Sequence, residues 1–524
     1  MSRMTSRGSE RSALALVLRH WREVLGLLFM LVLALGLRLY GIEAEAPWAD
    51  EINILVPLEE ESAFSDYLKH VRNWEATTAF LYPAVAWVWG QWIAGPSVLS
   101  MRMLSVIFGL GSIVVTYLIA RRTSGITAGM ASAAFLAVTQ PHIYYSIEIR
   151  PYALLMFAAA VSSYAFLVLL NAPRQSIPWW SVHLAANFAV VWTHLLGWVL
   201  LVAQALTLWL FRGRQVRLWA GWGMLQLPAV ILLAVLWIRT INWEVLEQVI
   251  PALDGPTLAH VGWGARFFAG LFHLHVLPNS LAPVWAPVLF GGAIAACYLA
   301  WRRHGRGASV RGAGQAPEPL GLGYALVWLV APMATRLVLS FVWRWMLAPY
   351  YMIHCGLAGA VLVGCGFAAL PKPGVRAGAA CLVLGLGAYA HLAYPGPMRT
   401  NYPAVFERIA AEPVLGVPVY VHPLIYGLCS EYNWWHMEWP GFQPRFIPVE
   451  ARQDMVSVIQ THGFREGLAW IVLHHVELEE AMALSTKLTE GGLTHKMYTP
   501  PGGLPRVTLY RLEEPEMTGP PRTD

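Results

Sequence analysis

Long apolar runs alternate with short polar segments from the start of the chain to about residue 394. The runs fall at 24–42, 103–120, 126–144, 152–170, 179–193, 196–211, 218–238, 283–301, 321–341, 349–369 and 376–394. A helix needs roughly 20 apolar residues to cross a bilayer, so the pattern predicts about eleven transmembrane helices. The stretch 79–94 is different. Pro83 and Gly90 interrupt it and it is close to the minimum length, which predicts an interfacial or re-entrant helix. Beyond residue 395 the pattern changes. Val417–Val421, Trp470–His474 and Val507–Leu512 read as strands, and Tyr402–Ala411, Gln453–Thr461 and Glu477–Glu490 as helices. This predicts a small α/β domain over 395–514, followed by a frayed tail, 515–524. The predicted fold class is therefore an all-α polytopic membrane protein with a small C-terminal extracytoplasmic α/β domain.

Composition agrees with a membrane protein. Only 13% of the residues are charged and 57% are hydrophobic, against about 25% charged in soluble domains. The formal charge of +5 does not point to nucleic acid, because the basic residues cluster between apolar runs. Arg3 to Arg22, Arg121-Arg122, Arg174, Arg212/Arg214/Arg217, Arg302-Arg303/Arg306/Arg311 and Lys372/Arg376 all fall on one side if 79–94 does not cross. The positive-inside rule makes that side the cytoplasm. The segment 1–23 is then cytoplasmic, and 24–394 forms the transmembrane domain. Outer loops lie at 43–102 and 239–282, and the C-terminal domain faces out. The run 24–42 is too long for a signal-peptide core and lacks a clean cleavage site, so it reads as an uncleaved span of an inner (plasma) membrane protein. Four of the five cysteines lie in apolar runs, a pattern that supports neither a disulfide framework nor a metal cluster.

Candidate chemistry concentrates on the outer side. Asp50 and Glu51 form a carboxylate pair just beyond the first span. They could remove a proton from an attacking hydroxyl, or they could be a solvated acidic loop at the membrane boundary. Glu148 and Arg150 stand between two spans. Arg150 offers a donor fork suited to phosphate, and the alternative is an ion pair fixing the turn. His194, at the outer end of a span, is either a packing residue or a donor to a sugar or phosphate. Arg344 could serve a cavity or snorkel to headgroups. Arg336 lies deeper in its span and is a weaker cavity candidate. His273, His275, His422, His474 and His475 lack metal-ligand spacing and read as structural.

These segments, in order, resemble the polytopic GT-C glycosyltransferases. The branch is the one containing protein O-mannosyltransferases, the aminoarabinose transferase of lipid A and RgtA/B/C/D-like lipopolysaccharide-core transferases. The matching pieces are Leu37-Arg38-Leu39 with Trp48-Ala49-Asp50-Glu51, then Gly95-Pro96-Ser97 with Met101-Arg102-Met103-Leu104-Ser105. Tyr145-Ser146-Ile147-Glu148-Ile149-Arg150-Pro151-Tyr152-Ala153-Leu154, Thr193-His194 and Arg344-Trp345-Met346-Leu347-Ala348-Pro349 follow. The resemblance covers roughly residues 30–370. It implies a GT-C-like fold and inverting transfer of a sugar from a polyprenyl-phosphate donor to a lipid, glycan or protein acceptor at the extracytoplasmic face. It implies that Asp50 is the base and that Tyr145, Glu148, Arg150, His194 and Arg344 line the donor cavity; beside them, Glu51 reads as a helper or acceptor-orienting group and Tyr152 as a further substrate-binding candidate. Many such enzymes carry a His-Pro-Pro-type motif in the first outer loop. Here the stretch reads Glu75-Ala76-Thr77-Thr78-Ala79-Phe80-Leu81-Tyr82-Pro83, so neither acceptor identity nor a metal requirement carries over. No cofactor follows with certainty, and a divalent cation is the one candidate. Two other readings use the same residues: a transporter or flippase of a lipid-linked or anionic solute, and a catalytically silent assembly protein. A transporter would be expected to show paired broken helices in two halves, and the sequence has no such symmetry.

Overall fold

The computed structural model describes residues 4–43, 46–74, 79–171, 177–213, 215, 220–227, 230–231, 234–235, 291, 295, 298, 319–342, 352–370, 372–393, 402–422, 444–449, 454–474, 478–498 and 507–513. Most of the expected spans at 218–238 and 283–301, the outer loop 239–282, Arg344 and the tail 515–524 lie outside these residues. The chain divides into two compact units. One comprises Met1–Tyr40 with Pro57–Tyr394, and the other Gly41–Val56 with Pro395–Asp524.

The first unit is a helical bundle. Its helices are α1 (Met4–Leu39), α3 (Phe64–Trp74), α4 (Leu81–Val88), α5 (Val98–Ser124), α6 (Ile126–Val138), α7 (Gln140–Tyr145), α8 (Tyr152–Asn171), α9 (Ile177–Thr193), α10 (Val199–Arg212), α11 (Pro319–Val342), α12 (Ile353–Ala368) and α13 (Pro373–Ala393). The helix α2 (Ala49–Glu60) begins in the second unit and ends in the first. Among the described residues, four helical segments are long and apolar enough to cross a membrane: Val98–Ser124, Tyr152–Asn171, Leu195–Arg212 and Leu320–Leu339. Ile126–Val138, Ile353–Ala368 and Pro373–Tyr389 are apolar but shorter. The expected span 126–144 is divided. α6 ends at Val138 and α7 restarts after Thr139 with Pro141 in its first turn, where a missing N–H costs nothing. The stretch 79–94 forms α4 followed by a π-helical turn, Trp89–Ile93. At ~1.5 Å per residue it is about 20 Å long, short of the ~30 Å hydrocarbon core.

Apolar matching and small residues hold the bundle together. α6 packs on α12 and α5, α8 on α5 and α9, and α10 on α11. α8 is the most enclosed of the four membrane-length segments. Its Leu155, Met156 and Phe166 join Ile113, Trp328 and Leu357 in one continuous core. Ser132 Oγ lies 2.9 Å from the Ala360 carbonyl, tying α6 to α12. Gly125, at φ +86°, makes the tight α5–α6 turn that β-carbon sterics deny other residues.

The second unit contains α14 (Tyr402–Ala410), β1 (Pro418–His422), β2 (Arg445–Pro448), α15 (Met455–His462), β3 (Leu468–His474), α16 (Leu478–Glu490), β4 (Thr494–Tyr498) and β5 (Val507–Glu513). The sheet order is β2-β1-β3-β5-β4. β1 runs parallel to β2 and β3, while β5 runs antiparallel to β3 and β4. On one face Tyr420, Ile471 and Leu512 pack with Ile459 of α15 and Leu488 of α16. On the other, Phe446 meets Phe406 of α14 at 6.3 Å between ring centroids. β2 and β4 escape sequence reading. β2 has four residues, and β4 is a polar edge strand with no apolar alternation to reveal it.

Candidate functional site

In the first unit, two turns and two helices bring polar groups into the bundle interior. The first turn, Ser146–Pro151, joins α7 to α8. Glu148 and Arg150 on it are 1% and 3% exposed, so charges enter the packed interior rather than the solvent. α5 holds the turn from the side, since Ser105 Oγ donates to the Glu148 carbonyl. Gly109 lets α5 approach this closely, because a β-carbon there would fall 2.3 Å from Ser146 Oγ. The aromatic groups of the motif stack along the turn. Tyr145 and Tyr152 meet edge to face at 5.2 Å, and the Arg150 guanidinium carbon lies 5.8 Å from the Tyr152 ring centroid.

His194 forms the second turn. It is extended (φ −145°, ψ 132°) between α9 and a 3-10 turn, Leu195–Trp198. Its Nδ1 accepts the Leu196 N–H at 3.1 Å, so the neutral ring carries its proton on Nε2. Gly197 is required here, because a β-carbon would lie 2.3 Å from the Val190 carbonyl oxygen. The Tyr152 and His194 rings are 6.2 Å apart, which links the two turns.

α11 and α12 contribute residues of lower rank in the sequence. Arg336 is fully buried, and its Nη2 donates to the Leu196 carbonyl at 2.9 Å, clamping the turn that presents His194. Trp328 Nε1 donates to His354 Nδ1 at 3.2 Å, again leaving the proton on Nε2. Arg336, Arg150 and His354 all lie within electrostatic range of the His194 ring. Two buried guanidinium groups and two imidazoles thus share one region, with Glu148 the carboxylate of the neighbouring turn. His354 Nε2 and Thr193 Oγ1 are buried with no hydrogen-bond partner among the described residues. Buried donors of this kind demand an acceptor. The region suits a ligand that is anionic and accepts several hydrogen bonds. His354 could be suspected from sequence only as a histidine at the start of an apolar run.

A second buried network braces the first turn. Arg38 Nη2 donates to His142 Nδ1 at 2.6 Å, and Arg38 Nη1 donates to the Ala34 carbonyl at 2.8 Å. His142 Nε2 then donates to Ser112 Oγ at 2.8 Å, which donates to the Gly109 carbonyl at 2.7 Å. The arginine of the Leu37-Arg38-Leu39 motif therefore positions α7, which leads directly into Tyr145.

Asp50 and Glu51 occupy the first turn of α2, in the part of that helix belonging to the second unit. The Trp48 carbonyl accepts the Glu51 and Ile52 N–H groups at 2.9 and 3.0 Å. Glu51 is fully buried and its Oε2 accepts the Trp48 N–H at 3.4 Å, the returning half of a capping box. Asp50 is partly exposed beside the same backbone donors, where the helix dipole favours negative charge. The structure thus brings Tyr145, Arg150, Tyr152 and His194 together with Arg336 and His354, and it places Glu148 on the same turn. Among the described residues, no group of three or more His, Cys, Asp or Glu could hold a metal ion.

A solved structure shares the fold. It is the crystal structure of ArnT from Cupriavidus metallidurans bound to undecaprenyl phosphate, with a TM-score of 0.50, 14% identity, and coverage of 92% of this chain and 97% of that chain. The Archaeoglobus fulgidus oligosaccharyltransferase, in complex with Zn and sulfate, also matches, with a TM-score of 0.48, 11% identity, and coverage of 95% and 74%. No protein-family model matches the chain, and no curated protein matches it.

Proposed function

We propose that the protein is a membrane glycosyltransferase that moves one sugar from a polyprenyl-phosphate carrier to an acceptor on the extracytoplasmic face of the plasma membrane. One observation carries this reading: Arg150, Arg336, His194 and His354 gather inside a membrane bundle. Buried cations in a span interior are costly and mark sites for charged partners, and the phosphate of a lipid carrier can reach them through the bilayer. The undecaprenyl phosphate bound to ArnT, on the same fold, supports a lipid phosphate as that partner.

The chemistry follows from the charges. An acceptor hydroxyl attacks the anomeric carbon as its proton passes to a carboxylate, for which Asp50 is the candidate. The bond from the anomeric carbon to the phosphate oxygen breaks, with inversion. Polyprenyl phosphate then departs with an added negative charge, which Arg150, Arg336 and the Nε2–H groups of His194 and His354 stabilise. Arg344 belongs with this set by the family resemblance. Glu51 assists by fixing the turn that carries Asp50. The N-terminus is cytoplasmic, and the C-terminal domain extracytoplasmic.

The test is transfer in vitro from defined polyprenyl-phosphate sugars, comparing wild type with Arg150→Gln. Turnover should fall by ~10²-fold or more, as when one preorganised oxyanion donor is removed. Unchanged turnover would remove Arg150 from the phosphate site. Transport of the intact lipid-linked sugar without cleavage would refute the transferase.

A further inference from the structure

The second unit carries a cavity of about 300 Å³ on the face of its sheet away from α15 and α16. Strand register explains its lining. Lys496 pairs with Arg511 and Thr494 with Glu513, so Thr494, Lys496 and Tyr498 of β4 share a face with Arg511 and Glu513 of β5. α14 and the turn after it supply Arg408 and Glu412 at the rim. At this volume, the small end of ligand pockets (~300–1,000 Å³), a monosaccharide or disaccharide fits and a lipid does not.

The lining is preorganised. Arg511 Nε donates to both Glu412 oxygens, at 2.7 and 3.0 Å, and Arg511 Nη1 donates to Glu513. Arg408 Nη2 donates to the Tyr498 hydroxyl at 2.9 Å, and its guanidinium carbon lies 4.7 Å from that ring centroid. Lys496 Nζ stands 5.3 Å from the same centroid and has no carboxylate partner among the described residues. The Arg408 hydrogen bond holds the Tyr498 hydroxyl below the usual phenol range, as a locally positive field requires.

Three cations and two carboxylates thus surround one tyrosine in the cavity. A bare anion would meet Glu412 and Glu513 as repulsive neighbours. A neutral sugar would leave the Lys496 charge unused. Carboxylates keep spare lone pairs for hydroxyl donors, while Arg408 and Lys496 can grip an anionic substituent. The geometry points to a binding site for an acidic hexose, a pyranose bearing a carboxylate or phosphate group, between Arg408 and the β4–β5 edge. That such a sugar is part of the transferase acceptor rests on the function proposed above, whereas the binding itself does not.

The full-length protein in detergent would be titrated calorimetrically with glucuronic acid, glucose 6-phosphate, glucose and inorganic phosphate. At least one acidic hexose should bind about tenfold more tightly than glucose or phosphate. Lys496→Gln, an exposed edge-strand change, should weaken that binding about tenfold, and Lys496→Arg should largely restore it. Equal affinity for inorganic phosphate would reduce the cavity to a plain anion site and overturn the inference. So would the absence of saturable binding by both acidic hexoses, or binding unaffected by Lys496→Gln. Cleavage of polyprenyl-phosphate sugar by the same wild-type preparation reports on the transferase separately, so the two ideas fail independently.

Discussion

Replacing Arg336 with Gln removes a fully buried guanidinium from the turn that presents His194. Two losses follow from the geometry. The hydrogen bond to the Leu196 carbonyl at 2.9 Å disappears, and charge-assisted bonds of this kind contribute ~1.5–3 kcal/mol. If the same guanidinium also neutralises the departing phosphate, the transition state loses a further ~3–4 kcal/mol, or ~10²–10³ in rate. The two losses separate by substituent. Arg336→Lys keeps a positive charge but cannot hold a carbonyl and a phosphate with one planar fork, so it should retain part of the rate. Steady-state transfer from a polyprenyl-phosphate sugar in nanodiscs gives kcat and KM, and thermal unfolding of the same samples gives stability. Arg336→Gln should lower kcat by ~10²-fold or more while remaining folded at the assay temperature. A folded Arg336→Gln protein with kcat within about twofold of wild type would refute the phosphate role and leave Arg336 a helix clamp.

Other changes probe the same assembly. Asp50→Asn should lower turnover by ~10²–10⁴-fold with donor binding retained, read by a lipid-phosphate binding assay beside the transfer assay; normal turnover would exclude Asp50 as the base. Gly109→Ala places a β-carbon 2.3 Å from Ser146 Oγ and 2.6 Å from Ser146 Cβ. It should cost about 1–3 kcal/mol in thermal unfolding and lower transfer by moving the Glu148–Arg150 turn, whereas Gly36→Ala, with nothing within 4 Å, should do neither. His142→Ala strips Arg38 Nη2 and Ser112 Oγ of a shared partner. It should destabilise the protein by ~1–3 kcal/mol, read from the unfolding midpoint in detergent.

The helices were legible because their signal is long and redundant. The expected run 152–170 is α8, Tyr152–Asn171, and 103–120 lies inside α5, Val98–Ser124. Strands of the C-terminal region were legible where both faces are buried, as in β3, whose Ala469–Leu473 is wholly apolar and enclosed. Edge strands β2 and β4 lack that signature because one side of each faces no partner strand among the described residues. Within the site, Arg150, Tyr152 and His194 could be picked out because they sit at span ends, where polarity interrupts an apolar run. Arg336 and His354 could not be weighted correctly. Each is a single polar residue within or at the start of an apolar stretch, and only the packing of α11 and α12 brings them to His194.

Arg38 and Arg336 show why a buried arginine alone does not identify a phosphate site. Both are fully buried, both lie on helices that read as spans, and both donate to backbone carbonyls. Their neighbours differ. Arg38 meets a histidine whose two nitrogens are both engaged, within a chain of donors that ends on the Gly109 carbonyl. Each proton on the path from Arg38 Nη2 through His142 and Ser112 to the Gly109 carbonyl has an acceptor, although Arg38 Nε has no partner among the described residues, so this path stiffens α7. Arg336 lies beside His354, whose Nε2–H ends the chain from Trp328 without an acceptor among the described residues. A closed donor chain stabilises the fold and an open one waits for an oxygen. By that criterion the α11–α12 side of the bundle, rather than the α1–α7 side, is where the anionic headgroup of the proposed donor would complete the hydrogen bonding.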